Sequence, residues 1–191
     1  MPDNVIRHNR KYIRNYKIIT PNETNQYINN NVFSNLKELY DVIPHWVIKA
    51  DLCRLLYVYH NGGLYCDVDC FLNKPINNNN VVLFTEFIIN SVSQLGPREC
   101  KNPDNVLRVA NYCFGATREH PFIKEVIEEC IRRMHQLFIV EKKLELTHQD
   151  ILWVCGPDVI TTIYHQKKHN YGDIHLHDKS FARHRAYGSW R

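Results

Sequence analysis

Hydrophobic and polar positions alternate with two different periods along this chain, and the switches between them outline its elements. Tyr16 to Thr20 reads as a first strand closed by Pro21, and Glu23 to Asn30 and Ser34 to Val42 read as short helices. Pro44 suits the first turn of a longer helix, in which Val47, Ile48, Leu52, Leu55, Leu56 and Tyr59 recur at helical spacing until Asn61-Gly62-Gly63 stops it. Leu64 to Phe71, Val81 to Thr85 and Asn111 to Ala116 read as strands. Pro121 opens a helix to about Gln136, and Thr147 with Asp150 forms a capping-box start to another. Gly156-Pro157 breaks that helix, and Pro157 begins one more through Ile163 and Tyr164. From Ile174 to Trp190 the chain is rich in His, aromatic and basic residues without clear periodicity, as in a segment that closes over a site. Strands alternating with helices predict an α/β sandwich.

Composition narrows the class. The 191 residues are 44% hydrophobic, 12% aromatic and 23% charged, enough for a packed core and too apolar for a disordered chain. No run approaches the roughly 20 apolar residues of a membrane helix, and the N-terminus lacks the apolar stretch of a signal peptide, so a soluble, cytoplasmic protein is expected. The net charge of +4 is too mild to indicate nucleic-acid binding but suits an anionic ligand. Seven cysteines without C-x-x-C spacing read as reduced, mostly buried thiols.

The chemistry concentrates in Gly62-Gly63-Leu64-Tyr65-Cys66-Asp67-Val68-Asp69. A strand through it would put Tyr65, Asp67 and Asp69 on one face, the two carboxylates about 7 Å apart. Unneutralised, they would raise each other's pKa; a divalent metal would neutralise both, and the alternative is a solvated turn carrying two acids. On the preceding helix, Asp51 falls inside the apolar arc of Val47, Ile48, Leu52, Leu55 and Val58, where a carboxylate needs a partner. Arg54, three residues on, supplies one, either as a structural ion pair or as part of a ligand site.

Ile48-Lys49-Ala50-Asp51-Leu52-Cys53-Arg54, followed by Gly62-Gly63-Leu64-Tyr65-Cys66-Asp67-Val68-Asp69, resembles the DXD sugar-binding region of glycosyltransferase family 32, a pattern shared with the glucosylating domains of the large clostridial toxins. The resemblance extends more weakly through residues 2–20, Asn111 to Pro121, Cys155-Gly156-Pro157 (Cys155 standing where Thr is usual), and His184 with Ser189-Trp190. It implies one GT-A-like, Rossmann-like domain over residues 1–191, with a mixed sheet flanked by helices and a tail from about 173 to 191 closing the site. The family's usual apolar first strand has no counterpart here, so a shortened form, a substitute segment or an upstream start is expected, and the edge left exposed by a missing strand could pair two copies into a homodimer.

The resemblance further implies that Asp69, with Asp67 and His184, holds manganese or magnesium, and that Asp67 also reaches the donor ribose. Asp51, Arg54 and Asn111 would hold the reacting sugar. Tyr65, Gly62, Gly63, Ser189 and Trp190 would line the site of a nucleotide-diphosphate sugar, UDP-linked ahead of GDP-linked. The implied reaction is transfer with anomeric retention to a glycan, lipid-linked or protein acceptor. Two rivals stand beside it. One is an inactive relative that binds a nucleotide sugar, glycan or partner protein. The other is a phosphatase of the haloacid dehalogenase type, whose D-x-D-x-[TV] motif meets Phe71 at its last position.

Overall fold

The structure, a computed structural model, describes residues 2–13, 15–29, 32–77, 80–88 and 107–185. Its helices are α1 (Pro2–Asn9), α2 (Pro21–Asn29), α3 (Leu36–Val42), α4 (Trp46–Asn61), α5 (Pro121–Met134), α6 (His148–Val154) and α7 (Pro157–Lys167). Its strands are β1 (Gly63–Cys66), β2 (Cys70–Leu72), β3 (Val81–Ile88), β4 (Leu107–Val109), β5 (Cys113–Ala116), β6 (Ile174–His177) and β7 (Ala182–His184). Strands β1, β5, β3 and β4 form an antiparallel path, and β6 joins β3 in parallel, so the sheet is mixed. A separate antiparallel ribbon pairs β2 with β7. The expected mixed α/β architecture is the one adopted, with helices against the sheet.

Alternation along the strands divides the interior in two. Val81 and Leu83 of β3, Phe114 of β5 and Tyr65 of β1 face the larger core, built with residues of α3 to α7. Val82, Phe84, Cys113, Leu64 and Cys66 face a smaller one, closed by Leu72 and Ala182 of the ribbon. Successive strand residues point to opposite faces, which is why Tyr65 and Cys66 serve different cores.

Helix α4 is the central support. Its apolar stripe is fully buried at Ile48, Leu52 and Leu56. His45 caps its start by accepting from the Val47 N–H, so Pro44 precedes the helix rather than entering its first turn. Gly62 ends it at φ +68°, and a Cβ there would lie 2.8 Å from the Arg118 backbone nitrogen. Only glycine meets both demands. The Thr147–Asp150 capping box of α6 is present on both sides, and Pro121 and Pro157 open α5 and α7 as expected. No helix among the described residues is long and apolar enough to cross a membrane.

Three expectations are corrected. Residues 15–20 form no strand, because Thr20 turns into α2: its N–H donates to Glu23 Oε2 at 2.8 Å, and its carbonyl accepts from the Glu23 N–H. Leu64 to Phe71 is not continuous, since the chain turns at Asp67, whose carbonyl accepts from the Cys70 N–H at 2.9 Å. Consequently β1 and β2 enter different sheets, and the two aspartates sit on a turn rather than on one strand face. The tail expected to be irregular contains β6 and β7. Helix α1, absent from the sequence reading, docks through Asn9, which donates to the Cys70 carbonyl and accepts from the Leu72 N–H, both at 2.9 Å.

Candidate active site

Strand β1 leaves the end of α4 and runs antiparallel to β5, with Gly63 opposite Ala116 and Cys66 opposite Cys113. The Asp67 N–H then donates to the Tyr112 carbonyl at 2.8 Å before the chain turns. The turn brings Asp67 and Asp69 together more closely than a strand would. The ribbon brings β7 back beside them, because His184 lies opposite Cys70. One ligand atom from each of Asp67, Asp69 and His184 lies within 4.8 Å of the others.

His184 Nε2 stands 3.0 Å from Asp69 Oδ1 and 3.7 Å from Asp67 Oδ2. Its ring stacks on Tyr112 with centroids 4.3 Å apart, and the Arg185 N–H donates to the Asp69 carbonyl at 3.2 Å. Two carboxylate oxygens suit a hard divalent ion such as manganese or magnesium, and one imidazole nitrogen can complete such a set. Neighbouring ligands of an octahedral ion bound at about 2.1 Å lie about 3 Å apart, so the residues present fit the metal.

Beside this cluster lies a buried polar network rooted in α4. Arg54 places Nη2 3.0 Å from Asp51 Oδ1 and Nη1 3.1 Å from Asp67 Oδ1. Nη1 also donates to the Asn111 carbonyl at 3.1 Å, while the Asn111 amide donates to Asp51 Oδ1 at 3.2 Å. The Tyr65 hydroxyl donates to Asp67 Oδ1 at 2.5 Å, and the guanidinium lies over the Tyr65 ring at 5.0 Å. Thus Asp67 meets the arginine network through Oδ1 and faces His184 through Oδ2.

Burial governs the electrostatics. It pushes the Asp51 carboxyl up to about 7, against the pull of Arg54 and with a further push from Asp67. Burial alone would lower Arg54, but Tyr65, Asp51 and Asp67 together raise it, so the guanidinium stays charged. The Tyr65 hydroxyl is pushed up, first by burial.

Of the residues singled out in the sequence, Asp51, Arg54, Asn111, Tyr65, Asp67, Asp69 and His184 converge here. Gly62 and Gly63 do not: they lie at the far end of β1, about four residues or 13 Å of strand from Asp67, where they end α4 and begin the sheet. Ser189 and Trp190 lie outside the described residues. Sequence reasoning missed Tyr112, which supports both His184 and the Asp67 amide; its position next to Asn111 was the available signal. A cavity of about 140 Å³ adjoins the site, lined by Tyr65, Cys66, Val68, Tyr16 and Ile18 among others. A larger one, about 390 Å³, lies away from this chemistry, near Phe33 and Lys124.

An acidic turn joined by a histidine from a returning strand, next to a buried arginine network, defines a DXD-type site on a mixed α/β sheet. Residues 3–88 match the family described as the glycosyltransferase sugar-binding region containing the DXD motif. The resemblance read in the sequence is therefore borne out over this stretch. The chain is 27% identical over 112 residues to inositol phosphoceramide mannosyltransferase 1 of Schizosaccharomyces pombe, a match covering 59% of this chain and 30% of that protein. The chain thus spans under a third of the length of that relative. Among solved structures, the PaToxG glycosyltransferase is similar at 16% identity and a TM-score of 0.44, over 72% of this chain and 45% of that one.

Proposed function

We propose that this chain transfers a sugar from a nucleotide-diphosphate donor in a metal-dependent reaction. The observation that carries the reading is the convergence of Asp67, Asp69 and His184 within 4.8 Å, joined through Asp67 to the Arg54–Asp51 pair. Asp67, Asp69 and His184 would hold manganese or magnesium, which supplies Lewis-acid stabilisation of the negative charge that develops on the departing diphosphate.

The remaining roles belong to the chain itself. Arg54 is held by Asp51, Asp67 and the Asn111 carbonyl, and its Nε is buried with no hydrogen-bond partner among the described residues. That orphan donor is what a sugar hydroxyl would satisfy. Asp51 and Asn111 position the arginine and offer further polar contacts to the sugar. Tyr65 lies between this network and the cavity beside β1, which suits a nucleotide neighbouring the metal. Asp51 is engaged by Arg54 and Asn111, so in the retaining transfer that the family resemblance implies these groups would orient the sugar rather than attack it.

Thermal denaturation with UDP- and GDP-linked sugars, nucleotide-linked mannose among them, with and without manganese, tests the reading. Native-state binding raises Tm. The expected result is a manganese-dependent rise with one donor that Asp69→Asn abolishes; equal Tm values with every donor would contradict it.

A further inference from the structure

Behind the acidic turn lies a second group of reactive side chains that the proposed transfer does not use. Cys66, Cys70 and Cys113 place their sulfurs within 4.8 Å of one another. All three face the smaller core beside Leu72, Val82, Phe84 and Ala110, and Cys70 and Cys113 are fully buried. Within the trio one pair is distinguished: the Cys66 and Cys113 sulfurs are 3.3 Å apart.

Strand register explains the contact. Cys66 and Cys113 are direct partners in the β1–β5 pair. The Asp67 N–H donates to the Tyr112 carbonyl, which makes the next pair along a hydrogen-bonded one. Hydrogen-bonded and non-hydrogen-bonded pairs alternate in an antiparallel ladder, so Cys66 and Cys113 form a non-hydrogen-bonded pair, with Cα atoms about 4.5 Å apart and side chains at their closest. That separation lies within the range a disulfide spans, roughly 4.4 to 6.8 Å. Cys70 lies across the turn and is not a strand partner of Cys66. The product would also suit its surroundings, since a disulfide is uncharged in an apolar core. Three thiolates around one ion would bury excess negative charge, and among the described residues no fourth histidine or carboxylate joins the three thiols.

We propose that Cys66 and Cys113 are a site of reversible oxidation, forming a disulfide that ties β1 to β5 directly beneath the Asp67 turn. Cys66 is the entry point, because it is only partly buried and lines the cavity of about 140 Å³. With hydrogen peroxide as oxidant, the Cys66 sulfur takes one peroxide oxygen as the O–O bond breaks, giving a sulfenic acid and one water. The Cys113 sulfur then attacks the Cys66 sulfur, the S–O bond breaks and a second water leaves. Two thiols lose two electrons and two protons, and one peroxide becomes two waters. This inference does not depend on the transfer reaction.

The test is peptide mapping of the full chain, reduced, freed of reductant and exposed to a small excess of hydrogen peroxide, then alkylated under denaturing conditions. The expected product has two fewer alkylated cysteines than the seven of the reduced chain, a cross-linked peptide pair holding Cys66 and Cys113, and full return to the starting mass with a thiol reductant. Cys70→Ser keeps the cross-link, and Cys113→Ser abolishes it. A dominant cross-link to Cys70, sulfinic acid at Cys66 without any cross-link, or a bound zinc ion that shields all three thiols would each overturn the proposal. The mapping of the unmodified chain decides the matter even if a variant fails to fold.

Discussion

His184 Nε2 lies 3.0 Å from Asp69 Oδ1, and that contact joins the last strand of the ribbon to the turn that ends β1. The two residues are distant in sequence and meet because β7 pairs with β2, placing His184 opposite Cys70. A metal held this way would depend on two segments far apart in the sequence.

His184→Ala is therefore expected to weaken manganese binding by more than the roughly 10-fold that losing an outer partner of a metal site costs. Titration calorimetry or manganese electron paramagnetic resonance reads this directly. Unchanged affinity would remove His184 from the ligand set.

Arg54→Met leaves Asp51 and Asp67 facing each other without their shared cation. Removing one partner of a buried ion pair costs about 3–5 kcal/mol, so the variant should unfold at distinctly lower urea. Asp51→Asn with Arg54→Met should recover part of the loss, because the most deeply buried charge is then gone. A loss below about 1 kcal/mol would mean that solvent already screens the network.

Thr147 and Asp150 give a pH signature far from the site. Burial pushes Asp150 up, but the Lys143 ammonium at 2.6 Å and the Thr147 hydroxyl and N–H outweigh it and hold the carboxyl below its usual value. A carboxyl lowered in the folded state contributes stability above its unfolded pKa and loses that contribution as pH falls through the folded value. Asp150→Ala should cost about 1–2 kcal/mol near neutral pH. The gap between variant and parent should narrow below about pH 4 in urea titrations. A gap independent of pH would contradict the ion-paired cap.

Gly62→Ala separates a helix stop from a ligand contact. At φ +68° and ψ −174° a residue with a Cβ is strained by about 1–3 kcal/mol, and the added Cβ meets the Arg118 nitrogen at 2.8 Å. The variant should be destabilised by more than that, whereas Gly172→Ala, with open space around its Cβ, should be nearly neutral. Loss of donor binding by Gly62→Ala at full stability would reassign the glycine to the ligand site.

Much of this was legible along the chain. The stripe of α4, its stop at Gly62, the cap of α6 and the proline starts of α5 and α7 are local signals, and the structure follows them. The pairing of Asp51 with Arg54 was legible too, because three residues on a helix face meet wherever the helix goes. The turn at Asp67 to Asp69 was not, since the β-rich residues on both sides read as one strand, and the break shows only in the Cys70 N–H bond to the Asp67 carbonyl and in the pairing of β2 with the distant β7. Strand β6 was hidden because His175 and His177 alternate with Ile174 and Leu176 in a tail that reads as irregular. His184 was marked only by family resemblance; nothing local distinguishes it from the chain's other histidines, and its role comes from the β2–β7 pairing.

The most direct test of the central claim is release of nucleotide diphosphate from the donor selected by thermal shift, followed over time with manganese, with a chelator, and in Asp69→Asn. The account predicts manganese-dependent release that the chelator stops and that Asp69→Asn lowers at least 100-fold, about 2.7 kcal/mol in barrier height. Release at an equal rate in the chelator or in Asp69→Asn would contradict it.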